Sequence, residues 1–290
     1  MALRLLGAQR REAAGEAPDG LPYRLPGRGA TFHTPLDLNL VGLWTLYVKE
    51  VRRFLKVWTQ TLMAPVITTL VFLAIFALAM HRTQATLNGL PYLYFLGPGL
   101  VMMTVVQNAF ANTSSSLVIA KIQGNIVDYL MPPLSPGELL FGIAVGGVTR
   151  GLLVGVTVYL AMLPFVALPL THPLLIFYYV LAASLMLSLL GILGGLWSDK
   201  FDQLAAVTNF VITPLSFLSG TFYSVEALPD AFRWLAYANP FFYMIDGTRY
   251  AFTGHADGSV VLGVTLLAVV NAALWDWSYA LFRRGYKLKA

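Results

Sequence analysis

Long apolar runs separated by short polar stretches set the architecture of this chain. No Asp, Glu, Lys or Arg occurs from Val57 to His81, Thr83 to Ala120, Gly151 to Ser198, Gln203 to Val225 or Gly258 to Trp275. A helix needs roughly 20 apolar residues to cross a hydrocarbon core of about 30 Å. The Gly151–Ser198 run is too long for one crossing, and Pro164, Pro169, His172 and Pro173 interrupt it, as at a turn between helices. The pattern predicts six spans, near Leu62–Met80, Tyr92–Thr113, Leu139–Leu163, Leu174–Trp197, Leu204–Phe222 and Val260–Phe282. Runs such as Leu70–Met80 lack the alternation of barrel strands.

A different periodicity precedes the first span. Leu40, Leu43, Trp44, Tyr47, Val48, Val51, Phe54, Leu55 and Trp58 follow steps of three and four, while Lys49, Arg52, Arg53 and Lys56 fall elsewhere on the wheel. An apolar, aromatic stripe beside a basic face predicts a helix lying in the membrane interface. It serves either as a plain anchor or as a docking rail, and the helix alone does not separate the two. The Ser114–Glu138 loop carries Ile119, Ile122, Ile126, Tyr129 and Leu130, which predict a short amphipathic helix stopped by Pro132-Pro133. Between spans five and six, Ser219–Gly254 mixes many aromatics with Glu226, Asp230, Arg233, Asp246 and Arg249. Too polar to span and too apolar for water, it predicts two short helices broken at Asn239-Pro240 and dipping into the outer leaflet.

Composition agrees with a bilayer. Hydrophobic residues make up 57% and charged residues 11%, where a soluble domain carries about a quarter charged. Mean hydropathy is +0.68. A net charge of +5 bears here on topology, and no nucleic-acid partner is expected. Of 19 Lys and Arg, all but Arg82, Arg150, Arg233 and Arg249 fall before the first span, after the last, or in the loops between spans two and three and four and five. The positive-inside rule then makes both termini cytoplasmic. Arg10, Arg11, Glu12 and Glu16 break any signal-peptide core. The expected organisation is a flexible cytoplasmic tail over 1–35, an interfacial helix over 36–58 and a six-span unit over 59–290. The outer segment occupies 223–254. The fold class is all-α integral membrane, with the interfacial helix at its start and a short re-entrant helical hairpin between helices five and six.

Much enzyme chemistry is absent. Without cysteine there are no disulfides, thiolate metal sites or cysteine nucleophiles. No GxxxxGK[ST] phosphate cradle occurs, and neither does an HExxH zinc pair. No metal site and no catalytic residue is expected. Arg150 and Asp276 are charges inside predicted spans, and intramembrane charges mark function unless a partner locks them. A pair between them, or a polar groove faced by Arg150, are both open. Gly147, Gly151 and Gly155 form a small-xxx-small face, which permits close helix approach within one chain or between two.

The stretch ANPFFYMIDGTRYAFTG, preceded by TPLSFLSGTFYSVEALP, resembles the outer segment of ABC-2 type transporter permeases, in the branch of YadH- and NodJ-like exporters. KIQGNIVDYLMPPLSPGELLFG and GGVTRGLLVG resemble that branch's cytoplasmic loop and third helix. The resemblance covers roughly Leu40 to Lys287. It implies a bacterial inner-membrane export permease, not itself an enzyme, in a homodimer with separate ABC-type ATPase subunits that hold ATP and Mg. It implies ATPase contacts on the first helix and second loop, assigned to Trp44, Lys49, Glu50, Arg52, Arg53, Ile122 and Asp128. Gly220, Tyr223, Pro229, Asn239, Pro240, Tyr243 and Arg249 match the outer motif; all of these except Pro229 are assigned to an outer gate. The cargo class is a membrane lipid, glycolipid, saccharide or amphipathic drug, and Gln107, Asn108, Asn112, Thr113, Asn209, Thr213 and Ser216 are candidate route-lining groups. An ion-coupled secondary transporter is the alternative, with Asp276 its acidic candidate.

Overall fold

In the computed structural model, residues 38–81, 86–87 and 89–287 are described; the tail expected over 1–35 lies outside them. From Asn39 onward the chain forms one unit. Among the described residues, six helices are long and apolar enough to cross a bilayer: Thr59–Met80, Tyr92–Ile122, Pro136–Met162, Pro173–Trp197, Phe201–Leu218 and Val260–Arg284. The protein is all-α and membrane-embedded.

Helix α1 is Leu40–Leu55. A π turn at Thr59–Met63 leads into α2, Ala64–His81. A two-residue antiparallel ladder follows, β1 Thr86–Leu87 with β2 Leu90–Pro91, Leu87 opposite Leu90. Then come α3 (Tyr92–Ile122), α4 (Val127–Leu130), α5 (Pro136–Met162) and α6 (Pro173–Trp197). The fifth span is composite: α7 (Phe201–Val207), a π turn at Thr208–Ile212 and α8 (Thr213–Leu218). Helices α9 (Asp230–Ala238) and α10 (Pro240–Thr253) precede the last span, α11 (Val260–Arg284). An even number of spans brings α1 and the end of α11 to one end of the bundle, termed the basic end; α9 and α10 lie at the far end.

Helix α3 is the core, with 78% of its apolar window buried, while the first, fifth and sixth spans bury 17% each. Its Phe95, Met102 and Phe110 are sealed off. Glycines set the closeness of its neighbours. A Cβ on Gly147 would meet Ser188 and Thr113, one on Gly151 would meet Ser184, and one on Gly155 would meet Val105. The small-residue stripe of α5 is therefore filled by α3 and α6 of the same chain.

The loop after α3 differs from expectation. Ile119 and Ile122 belong to the end of α3, and only Val127–Leu130 forms a separate turn of helix. Between Asn108 and Gln123 there is neither Gly nor Pro, so nothing stops α3 until Gly124, which takes φ +71°. At 1.5 Å per residue α3 is about 46 Å long and outreaches the hydrocarbon. Helix α5 starts on a capping box: Ser135 Oγ accepts the Glu138 N–H, and Glu138 Oε2 accepts the Ser135 N–H. Glu138 Oε1 also accepts the N–H of Asn39, the N-cap of α1, at 2.6 Å, so one carboxylate ties both helix starts together.

The two π turns share a cause. Pro65 and Pro214 each lie two residues past one. Proline lacks an N–H and its ring clashes with the carbonyl four residues back, and the wider turn absorbs the mismatch. On α10, Gly247 sits against the Tyr179 ring, where a Cβ has no room. Gly247→Ala is expected to displace Tyr179, break its hydroxyl bond to Val260 O and lower stability by about 1–3 kcal/mol. A melting curve of the purified variant checks this, and a wild-type midpoint would contradict it.

Candidate functional site

Among the described residues, three polar clusters and an apolar groove stand out against the apolar packing. The first joins α1, α3 and α4 at the basic end. Glu50 is fully buried. Its Oε1 accepts Ser116 Oγ at 2.7 Å and Tyr129 OH at 2.9 Å, and its Oε2 accepts Arg53 Nη2 at 3.1 Å. Arg53 reaches on to Asn112 O at 2.7 Å, Asn112 Oδ1 at 3.0 Å and Ser115 Oγ at 3.2 Å. Lys49 Nζ lies 3.7 Å from the centre of the Tyr129 ring. Burial, with the Glu50 carboxylate beside it, pushes the Tyr129 phenol above its ordinary range.

These contacts correct part of the α1 expectation. Leu46, Glu50 and Phe54 make the buried face, while Leu40, Trp44, Leu55 and Trp58 of the apolar stripe stay exposed. A carboxylate with three donors is satisfied and can be enclosed, which the periodicity of apolar residues does not reveal. Glu50 thus points into the protein and offers no free docking face, while Arg53 is engaged with Glu50, Asn112 and Ser115 but keeps part of its side chain at the surface. Trp44, Lys49, Arg52, Ile122 and Asp128 remain exposed at the basic end. Nearby, Lys121 Nζ caps the end of α6 through Leu196 O and Ser198 O, each at 2.7 Å. Lys287 bonds Asp199 and holds that carboxyl below its ordinary range.

The second cluster lies at the far end. Arg249 is fully buried. Its Nε donates to Phe95 O at 3.2 Å, Nη2 to Gly220 O and Nη1 to Asp246 Oδ1 at 3.4 Å, with the guanidinium carbon 3.7 Å from the Phe95 ring centre. Pro98 interrupts the α3 ladder close by. Asp246 also accepts the N–H groups of Asp257 and Gly258, each at 2.9 Å. Gly220 turns the chain with φ +74°. Asn239 caps α10 through the Phe241 N–H and donates to Leu215 O and Ser219 Oγ, with Pro240 at the first helical position. Tyr223 OH donates to Leu218 O at 3.0 Å, and the half-buried Tyr243 packs edge-on against Phe242. Gly220, Asn239 and Arg249 are therefore brought together as a buried brace between α3, α8 and α10.

Deeper in the bundle, Arg150 donates from Nη2 to Asn108 Oδ1 at 2.8 Å. Asp276 is exposed on α11, and no ion pair joins it to Arg150 among the described residues; the suggested pairing is corrected. The two helices present these residues to different surroundings. Thr113 and Ser216 bond main-chain carbonyls, Ser188 O and Ile212 O, so these two candidate route-lining groups are consumed within the packing. A largely apolar groove of about 690 Å³ runs between α6, the fifth span, α10 and α11, from Trp197 and Trp277 to Asn239 and Pro240. Among the described residues, no three His, Asp or Glu side chains gather as metal ligands.

The pattern of the ABC-2 type transporter family matches residues 41–253, from the start of α1 to the end of α10. An inner membrane transport permease, YadH of Escherichia coli (strain K12), is 36% identical over 255 residues, covering 88% of this chain and 100% of YadH. The chain belongs to the ABC-2 type transporter family. Nodulation protein J of Rhizobium leguminosarum bv. viciae is 24% identical over 258 residues, covering 85% of this permease and 95% of its own length. The probable multidrug ABC transporter permease YbhR of Escherichia coli (strain K12) is 27% identical over 206 residues, or 67% and 54% of the two chains. Membership decides between the two transport classes raised by the sequence, in favour of the ABC permease.

Sequence reasoning missed Asp246 as the partner of Arg249 and Asn108 as the partner of Arg150. The first had a signal, since Asp246 and Arg249 stand three apart on a helix, as do Glu50 and Arg53. The second had none, because only the packing of α3 on α5 sets which amide faces the guanidinium.

Proposed function

We propose that this permease works as a homodimer in the bacterial inner membrane and exports an amphiphile, powered by a separate ABC-type ATPase that carries ATP and Mg. Cytoplasmic termini follow from the basic residues at one end. The cargo class is a lipid, glycolipid, saccharide or amphipathic drug. The observation that carries the reading is the buried Glu50 junction, which couples the exposed face of α1 to α3 and α4.

The ATPase would press on Trp44, Lys49, Arg52, Ile122 and Asp128. Glu50 and Arg53 would pass that displacement to Ser116 and Asn112 on α3. Helix α3 runs from this junction to Phe95, about 32 Å away at 1.5 Å per residue, where Arg249 grips it. A shift of α3 would therefore reach the Gly220–Asn239–Arg249 brace and the adjoining Tyr223, Pro240 and Tyr243, which would open the outer gate. Packed helices shift between discrete arrangements, so motion at one end moves the other.

The test is co-reconstitution with the ABC-type ATPase that co-purifies with the permease. Permease should stimulate ATP hydrolysis. Trp44→Ala, Arg52→Glu, Ile122→Asp and Asp128→Lys should each cut that stimulation about five- to thirtyfold, the effect of losing an interface anchor, with melting unchanged. Full-rate uphill transport by the chain alone, with no ATPase present, would refute the reading.

A further inference from the structure

Arg150 lies about 21 Å along α5 from Pro136 at 1.5 Å per residue, and among the described residues it has no carboxylate within ion-pair distance. A lone guanidinium at such depth costs several kcal/mol, and its bond to Asn108 supplies no charge. A second guanidinium sits one turn away. Arg53 docks on Asn112, four residues after Asn108, on the same face of α3 at about 5–6 Å. On α5, Gly146 stands one turn before Arg150, and its Cβ position lies 3.8 Å from Asn112 Nδ2 and against the Glu50 stem. Two levels are thus in register: Glu50, Gly146 and Asn112 at one, Asn108 and Arg150 at the next.

Charge and hydrogen bonds are both left over in this junction. The one carboxylate here, Glu50, is already taken by Ser116, Tyr129 and Arg53 and leaves the Arg150 guanidinium without a counter-charge. Arg53 Nε, Arg150 Nε and the Asn112 amide Nδ2 are shut away from solvent with no acceptor, and Asn112 itself is fully buried. Orphaned buried donors cost about 1–3 kcal/mol each. Three of them, one on each of α1, α3 and α5 and accompanied by surplus positive charge, match an anion with several oxygens, and guanidinium forks suit phosphate.

We propose that Arg53, Asn112 and Arg150 form a phosphate-binding site between α1, α3 and α5 that takes the phosphate of a membrane amphiphile. The site stands independently of the transport reading; only the statement that the bound amphiphile is cargo rests on it. The test is equilibrium binding by native mass spectrometry of the full chain in detergent, offered phosphatidylglycerol or the phosphate-free lipid diacylglycerol. Wild type should prefer phosphatidylglycerol, and Arg150→Gln should weaken that binding about tenfold or more, the loss of one charge-assisted contact. Arg150→Lys should weaken it less, and Arg283→Gln, on an exposed basic residue, not at all. Melting of each variant in lipid-free detergent verifies folding, and if Arg150→Gln does not fold, Asn112→Ala carries the test with the same expected direction. Competition with excess inorganic phosphate separates the sources: displacement assigns the site to any accessible phosphate, and no displacement assigns it to a lipid-borne one. Equal binding of the two lipids, or wild-type affinity in the folded Arg150 and Asn112 variants, would overturn the site. None of these readouts involves an ATPase, so they stand apart from the test of transport.

Discussion

Glu50→Ala is expected to lower stability by about 3–5 kcal/mol, the effect of removing one partner from a buried charge cluster, and to abolish stimulation of the partner ATPase. The loss has three parts. The hydroxyls of Ser116 and Tyr129 lose their shared acceptor, and Arg53 loses its carboxylate. Helix α1 then keeps the Arg53 bonds to Asn112 and Ser115, the Tyr47–Thr149 hydroxyl contact, its apolar contacts to α5 and its cap through Glu138. Glu50→Gln retains an oxygen for the hydroxyls but not the charge facing Arg53. It should cost about 1.5–3 kcal/mol, the size of a hydrogen bond to a charged group. Thermal melting measures the first effect and ATP hydrolysis in the reconstituted complex the second. Wild-type melting together with full stimulation in Glu50→Ala would remove the junction from the mechanism.

Arg249→Met should be comparably severe at the far end, about 3–5 kcal/mol, because it leaves Asp246 buried without its cation. The carboxylate would still accept the Asp257 and Gly258 N–H groups, so the turn before α11 should persist while α3 and the Gly220 turn come apart from α10. Arg249→Lys cannot repair this. An ammonium on a flexible stem lacks the planar fork that reaches Phe95 O, Gly220 O and Asp246 at once. A cycle with Asp246→Leu separates charge from packing: contacting residues are non-additive, and the double variant should cost less than the sum. Strict additivity would mean that the pair is no unit.

How much could be read in advance depended on the kind of signal. Spans are a one-dimensional property: uncharged length against bilayer thickness located five of the six within a few residues at both ends, and the second at its start. The Asn239-Pro240 dipeptide likewise marks the junction of α9 and α10 because its conformational limits are local. Glu50 shows the opposite case. A charge on an amphipathic helix looks solvent-facing in a wheel, and only its placement beside Ser116 and Tyr129 turns it inward. The end of α3 was misplaced for a similar reason, since the polar residues Asn112 to Ser116 resemble a loop until Glu50, Arg53 and Ser188 are seen to bond them. Arg150 was recognisable as an oddity, but Asp276 was the wrong partner because sequence separation says nothing about which faces meet.

The proline and widened turn shared by the first and fifth spans have a mechanical consequence. Both spans lie on the rim of the bundle with little of their surface enclosed, and both carry an off-pitch segment, Thr59–Met63 at the start of the first and Thr208–Ile212 midway along the fifth. A rod bends where its internal ties are longest and its outside support is weakest, and here the two coincide. Compliance in this protein is therefore concentrated in the perimeter staves, while the buried α3 beam stays stiff.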